Sequence, residues 1–308
     1  MRAFFKSVIA IAVAVETFFA SLFGMIRTGD PAYGKKQIDL SDFSLVWSDE
    51  FDGDRLDREK WSYEWWVTMR KGGYWHEDMV SVEDGDLVIR AEYKEDGLPF
   101  KYGEYADWMD PYKPGYYAGQ VYTREKYEQR YGYFETRCIL PAGCGLWSGF
   151  WMMNEGVFNE DGSGRDGTEI DVFESFFYDE YKLGNDRVSI NLHYDGYRDA
   201  HQWEHITNAF IQNDPYKEYN TYGVEWNPEE YIFYINGKEV ARSDFGGVSQ
   251  EPEYLLLSVE FSGENGVPSF DPKSGAGDIR QTPAENWPCE FRVDYVRCYQ
   301  YPQFLDQP

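Results

Sequence analysis

Seven short stretches rich in β-branched and aromatic residues run through the chain, and nothing in it carries a sustained helical period. They are 86–93 (DLVIRAEY), 131–140 (YGYFETRCIL), 188–194 (VSINLHY), 219–226 (YNTYGVEW), 231–235 (YIFYI), 254–261 (YLLLSVEF) and 291–299 (FRVDYVRCY). Residues of this kind suit a pleated, half-buried surface. Asn236-Gly237, between YIFYI and KEVAR, predicts a hairpin, because a type I′ turn needs φ > 0 at both central positions. Stretches 126–129 and 228–230 read as short turns or single helical turns. Many strands without βαβ alternation predict an all-β antiparallel sandwich or barrel. A length of 308 residues is ample for one such domain with a sizeable core.

The charge narrows the partners. With 29 Lys+Arg against 55 Asp+Glu the net charge is −26, which argues against nucleic acid or an anionic membrane surface. An aromatic content of 19% excludes a disordered acidic chain and suits a neutral ligand with flat apolar faces, such as a sugar. Residues 1–27 read as a signal peptide or a retained N-terminal anchor: Arg2 and Lys6 precede the apolar run VIAIAVAV. Either reading places the bulk of the chain outside the cell, secreted or held at its surface. Nothing signals an oligomer, so a monomer is expected. Cys138, Cys144, Cys289 and Cys298 allow two disulfides or four buried thiols, and a local Cys138–Cys144 bridge is geometrically plausible.

The stretch 167–175 (GTEIDVFES) places Glu169, Asp171 and Glu174 within six residues of a strand-like run. On a strand Glu169 and Asp171 share a face, while Glu174, at an odd offset, would turn to the other. One β-bulge near Val172 or Phe173 restores its parity, and bulges cluster at active sites. With that bulge the two glutamates are roughly 13 Å apart at Cα, leaving roughly 5 Å between carboxyl groups. Retaining glycosidases hold theirs about 5–5.5 Å apart and inverting ones about 6.5–9.5 Å. A solvated edge is a poor account, because Ile170, Val172 and Phe173 mark a well-packed strand. A like-charge row is destabilising unless something uses it.

The six residues Glu169-Ile-Asp-Val-Phe-Glu174 resemble the signature of glycoside hydrolase family 16, in the bulged form of its laminarinase-like branch. WSDEFDG (47–53), VEDGDLVIRA (82–91), YGYFETRCILPAGCGLWSGFWMM (131–153), YGVEWNPEEYIFYINGKEV (222–240) and FRVDYVRCYQY (291–301) match in the expected order. The resemblance implies a β-jelly roll of two antiparallel sheets with a concave glycan-binding cleft, occupying 42–301 between a short linker (28–41) and a tail (302–308). It implies a retaining endo-hydrolase of a polysaccharide, by default β-1,3- or mixed-linkage β-glucan, with a β-galactan-type hydrolase or a non-catalytic glycan-binding jelly roll as alternatives. Carried over, Glu169 resembles the nucleophile, Glu174 the acid/base and Asp171 the carboxylate between them. Trp147, Trp151, Trp75 and His193 resemble substrate-binding residues, and Trp226 a residue of the cleft floor or core. No cofactor is required, but Glu50, Gly85 and Asp294 match a structural calcium site of the family, whose oxygen ligands would suit that hard cation. Glu260 and Phe261, and the loops 94–118 and 195–216, depart from the family's pattern.

Overall fold

The computed structural model describes residues 26–27, 36–63, 69–99, 113–179, 185–273 and 276–305. Residues 1–27, read above as a signal peptide or anchor, therefore lie outside the described residues, apart from the backbone strand Ile26–Arg27. Among the described residues no helix is long and apolar enough to cross a membrane.

The apolar–polar alternation of the strands folds into two large sheets. In the first, the order is Ile26–Arg27, Gln202–Phe210, Arg187–Tyr194, Glu169–Ser175, Leu146–Met153, Glu253–Phe261 and Gln120–Tyr122, with Glu128–Gln129 also on Glu253–Phe261. The second runs Lys238–Ser243, Tyr231–Ile235, Asn220–Trp226, Gly132–Ile139, Cys289–Gln300, Asp86–Lys94, Gly115–Ala118, Gly73–Trp75 and Met69–Arg70. Ser44–Asp49 and Val80–Glu83 pair onto its centre. Pairing is antiparallel except for Ile26–Arg27 and for Gly73–Trp75 against Gly115–Ala118.

All seven predicted strands are present, most within one or two residues of their expected ends. Asn236 and Gly237 adopt φ of 50° and 71°, as the hairpin demands. No helix forms at either place: a turn at 124–126 leads into the strand Glu128–Gln129, and 228–229 is a bend. Glu128–Gln129 pairs with Glu253 and Tyr254 instead, while the Asn227 side chain accepts the backbone N–H groups of Glu229 (2.8 Å) and Glu230 (3.0 Å). The segment 195–216 hides a nine-residue strand, Gln202–Phe210, whose polar sequence QWEHITNAF carries only a weak strand signal.

The sheets meet through large side chains. Phe173 of the first sheet packs on Tyr222 (ring centroids 4.4 Å) and edge-on to Phe291 (6.2 Å), both of the second. Ile170, Val172 and Phe173 all join this core, each such burial stabilising by about 1.5–3 kcal/mol. Trp226 is a core residue, with its indole N–H donated to the Ser249 carbonyl (3.1 Å). All four cysteines are buried thiols, so the local Cys138–Cys144 bridge does not form. Cys138 lies within a strand paired on both sides, and its burial among apolar side chains accounts for it as a small core hydrophobe.

Candidate active site

The strand Glu169–Ser175 is bulged where parity requires. On one side Asp171 pairs with Asn191 and Glu174 with Ser189, so three residues are spent against two. On the other, Phe150 faces Phe173 while Trp151 faces Asp171. The extra residue turns Glu174 back to the side of Glu169 and Asp171. All three line one cavity of about 750 Å³. The neighbouring strands supply the rest of its wall by the same alternation: Trp147, Gly149 and Trp151 on one side, Ser189, Asn191 and His193 on the other. Beyond them Trp203 pairs with His193, and His205 with Asn191.

The wall is apolar enough to penalise charge. Burial, and then the negative charge of Asp171, push the carboxyl groups of both Glu169 and Glu174 above the ordinary range, Glu174 further. Glu174 accepts two hydrogen bonds, from Trp147 Nε1 to Oε1 (2.5 Å) and from Asn191 Nδ2 to Oε2 (2.6 Å). Asn191 is in turn oriented through its Oδ1 by His205 Nδ1 (2.9 Å). His193 Nε2 lies 3.3 Å from Asp171 Oδ2. Burial opposes a charge on His193, but the hydrogen bond and charge of Asp171 win and raise its pKa to about 9. An imidazolium therefore sits among the acids and offsets part of their repulsion. Glu169 receives a hydrogen bond from the Tyr197 hydroxyl on Oε2.

A second charged cluster closes one end. Glu260 is buried, yet the charges of Arg70 and Lys71 outweigh burial and hold it below the usual carboxylate range. Arg70 Nε is 2.7 Å and Lys71 Nζ 3.1 Å from it. The family-pattern departure at Glu260 is thus a buried ion cluster set into the cavity wall.

The predicted substrate-binding residues all line this cavity, but not in the manner expected. Trp147 is no open platform: Lys71 Nζ sits 3.5 Å over its ring, Phe176 packs against it (4.6 Å), and its N–H is spent on Glu174. Trp151 is 9% exposed and bonds Ser258 Oγ (3.1 Å). Trp75 is buried beneath Arg70, with its N–H on the Val259 carbonyl (2.8 Å). His193 uses Nε2 on Asp171 and Nδ1 on His201 (2.9 Å), so both nitrogens are engaged by protein. The exposed aromatic rings are instead Trp203 (59%), Phe158 and Tyr197. Ser189 and Asn191 were legible in the sequence, because they alternate with His193 along VSINLHY. Tyr197, His201 and Trp203 lie in the unmatched 195–216 segment and carried no comparable signal.

The expected calcium residues are neighbours in the second sheet, with Asp49 on Val296 and Leu87 on Val293, but both carboxylates are taken by arginines. Glu50 is held by Arg297 through two bonds (3.0 and 2.7 Å), and Asp294 by Arg137 (2.5 Å). Gly85 sits at φ 84° in the hairpin turn before Asp86–Lys94. Each carboxylate is already neutralised by a guanidinium, a donor set that does not fit a cation. Among the described residues, no group of His, Cys, Asp or Glu outside the carboxylate row brings three ligand atoms together.

Comparison with known proteins gives the family and the fold. A family model described as β-porphyranase A–D, GH16 domain, matches residues 44–301. Glucan endo-1,3-β-glucosidase A1 of Niallia circulans is 27% identical over 85% of this chain and 38% of its own. Keratan-sulfate endo-1,4-β-galactosidase of Sphingobacterium multivorum is 28% identical over 86% of this chain and 57% of its own. The chain thus spans between about a third and three-fifths of these relatives' length. The catalytic domain of an endo-1,3-β-glucanase (laminarinase) from Thermotoga petrophila superposes with a TM-score of 0.62 at 23% identity, over 85% of this chain and 99% of that one. The two-sheet sandwich is accordingly the jelly roll of these proteins. With the match running through the whole folded body and across the bulged carboxylate strand, the chain belongs to glycoside hydrolase family 16, in the family described as β-porphyranase A–D.

Proposed function

We propose that the protein is a retaining endo-hydrolase of a β-linked glycan, with Glu169 as nucleophile and Glu174 as acid/base. The observation that carries this is the bulge, which brings both glutamates to one wall with Asp171 between them. Glu169 attacks the anomeric carbon as the glycosidic C–O bond breaks, and Glu174 gives its proton to the departing oxygen. Water then attacks the same carbon, Glu174 takes its proton, and the ester bond to Glu169 breaks. Glu174 is the carboxyl held further above the usual range, the property an acid needs to arrive protonated. Asp171 and the His193 imidazolium frame the nucleophile without reacting.

A galactose-containing β-glycan is the first substrate class. The family model named for porphyranase covers the whole domain, and the keratan-sulfate relative cuts a β-1,4-galactosidic bond. A β-1,3- or mixed-linkage glucan is the second, supported by the glucanase relative. The test is reducing-sugar release from porphyran, agarose, keratan sulfate, laminarin and barley glucan, with Glu169→Ser as the blank. Release from a galactan arm with β-configured first product supports the reading. Release from the glucans alone moves the substrate class to the second. Binding without release from any polymer would make this a glycan-binding jelly roll.

The pH profile is a further test. Activity needs Glu169 ionised and Glu174 protonated. Rate rises with pH as Glu169 loses its proton and falls as Glu174 loses its own. Both are shifted upward, so the bell in kcat/KM lies at neutral to weakly alkaline pH, above the 4–5 range of ordinary carboxylates. An optimum at pH 4–5 would contradict the environment described for both groups.

A further inference from the structure

The Tyr197 hydroxyl donates to Glu169 Oε2, and among the described residues no other donor hydrogen-bonds that carboxylate. Oε1 is left free. Tyr197 comes from the loop following Arg187–Tyr194, where the sequence departs from the family's pattern, and the loop is firmly held. Asp195 and Gly196 take consecutive left-handed conformations (φ 59° and 70°). The Asp195 carboxylate accepts the backbone N–H of Gly162 (3.1 Å), and Gly196 N–H reaches the Val157 carbonyl (2.6 Å). Phe158 packs edge-on against the Tyr197 ring (5.7 Å), and His201 lies against it at 5.7 Å while bonding His193. The ring is 47% exposed, but its hydroxyl is turned in beside Glu169, and that burial pushes its pKa well above the usual value. The hydroxyl keeps its proton and remains a donor throughout.

We infer that Tyr197 is a positioning residue that fixes which oxygen of Glu169 reacts and selectively assists breakdown of the glycosyl-enzyme. The inference rests on the retaining reading above. Glu169 Oε1 forms the bond to the anomeric carbon as the aglycone leaves with the proton of Glu174. Oε2 becomes the ester carbonyl and stays in the grip of Tyr197. In this first step negative charge leaves Glu169, so a hydrogen bond to Oε2 weakens and gives no assistance. In the second step water attacks, Glu174 accepts its proton, and charge returns to Glu169. The same bond then strengthens toward the transition state, which is where an interaction must strengthen to accelerate. The other ionisable groups facing Glu169 are Asp171, Glu174, His193, Arg70 and the more distant Glu253; they feel the same change of charge, but among the described residues none of them hydrogen-bonds its carboxylate.

Tyr197→Phe keeps the ring and its packing and removes only the hydroxyl. A hydrogen bond to a charged group is worth about 10–100-fold in rate. With 2,4-dinitrophenyl β-galactobioside and β-laminaribioside as probes, the expected result is a kcat lower by about 10–100-fold. kcat/KM, which reports the first step, is unchanged within about threefold, so KM falls in parallel. Intact-mass measurement after acid quench shows glycosyl-enzyme accumulating in the variant above wild type. A merely structural role would lower kcat/KM as well and trap nothing, and that outcome overturns the inference. The first-formed product anomer of the wild type, read by NMR, separates the two levels. An inverted product defeats the retaining reading and this inference with it. A retained product, with kcat of Tyr197→Phe unchanged, defeats this inference alone.

Discussion

Glu169→Ser lowers glycan hydrolysis by about 10⁴–10⁶-fold, the scale on which enzymes lose turnover when a covalent nucleophile is removed. The size follows from the site. Glu169 stands on a strand locked on both sides, opposite His193 and within reach of Tyr197, and no other described carboxylate can replace it. Asp171 is committed to His193, and Glu174 lies across the bulge, held by Trp147 and Asn191. Serine leaves the bulge and the core residues Ile170, Val172 and Phe173 in place, so the variant folds and still binds the polymer. Reducing-sugar release and retention on the polymer, measured side by side, check this. Residual turnover above about 1% of wild type would remove Glu169 from the role of nucleophile.

Glu174→Gln separates chemistry from stability and changes both. As the acid/base it contributes about 10²–10⁴-fold, so natural polymer hydrolysis falls by that factor. A dinitrophenyl glycoside needs no proton to leave, so its first step is spared. Azide, which needs no base to attack, restores turnover and yields a β-glycosyl azide. Loss on both substrates without azide rescue would assign Glu174 to structure. The stability effect has the opposite sign. The folded-state pKa of Glu174 is raised above its unfolded value, so the folded protein favours the protonated form. That preference stabilises the fold fully below the unfolded pKa and is lost as pH rises through the folded one. The neutral amide escapes this loss. Glu174→Gln therefore matches the wild-type melting temperature near pH 4 and exceeds it at pH 8 by a few °C, about 1–2 kcal/mol. Thermal melts at the two pH values read the difference, and equal melting at pH 8 would mean that Glu174 ionises there without strain.

The two effects share a cause, which also shows what could be read in advance. Glu169, Asp171 and Glu174 were assignable to one face because alternation along a strand is local, and a bulge is the one device that repairs an odd offset. The strands and the Asn236-Gly237 turn were legible for the same reason: propensity and turn chemistry act over a few neighbouring residues. Ser189, Asn191 and His193 extend that rule to the next strand.

What the tertiary structure decided is which of these side chains were already occupied. Trp147 faces the cavity as alternation requires, yet Lys71, far earlier in the chain, covers its ring. Glu50 and Asp294 have the chemistry of cation ligands, yet Arg297 and Arg137 reach them first. Tyr197 and Trp203 enter the site only because Gln202–Phe210 takes its place beside Arg187–Tyr194, an order no local pattern specifies. The sequence by itself determined the fold class and the common face of Glu169, Asp171 and Glu174, because both follow from patterns within single strands. Only the folded chain decided their partners, because a contact between distant residues depends on sheet order and on competition for each polar group.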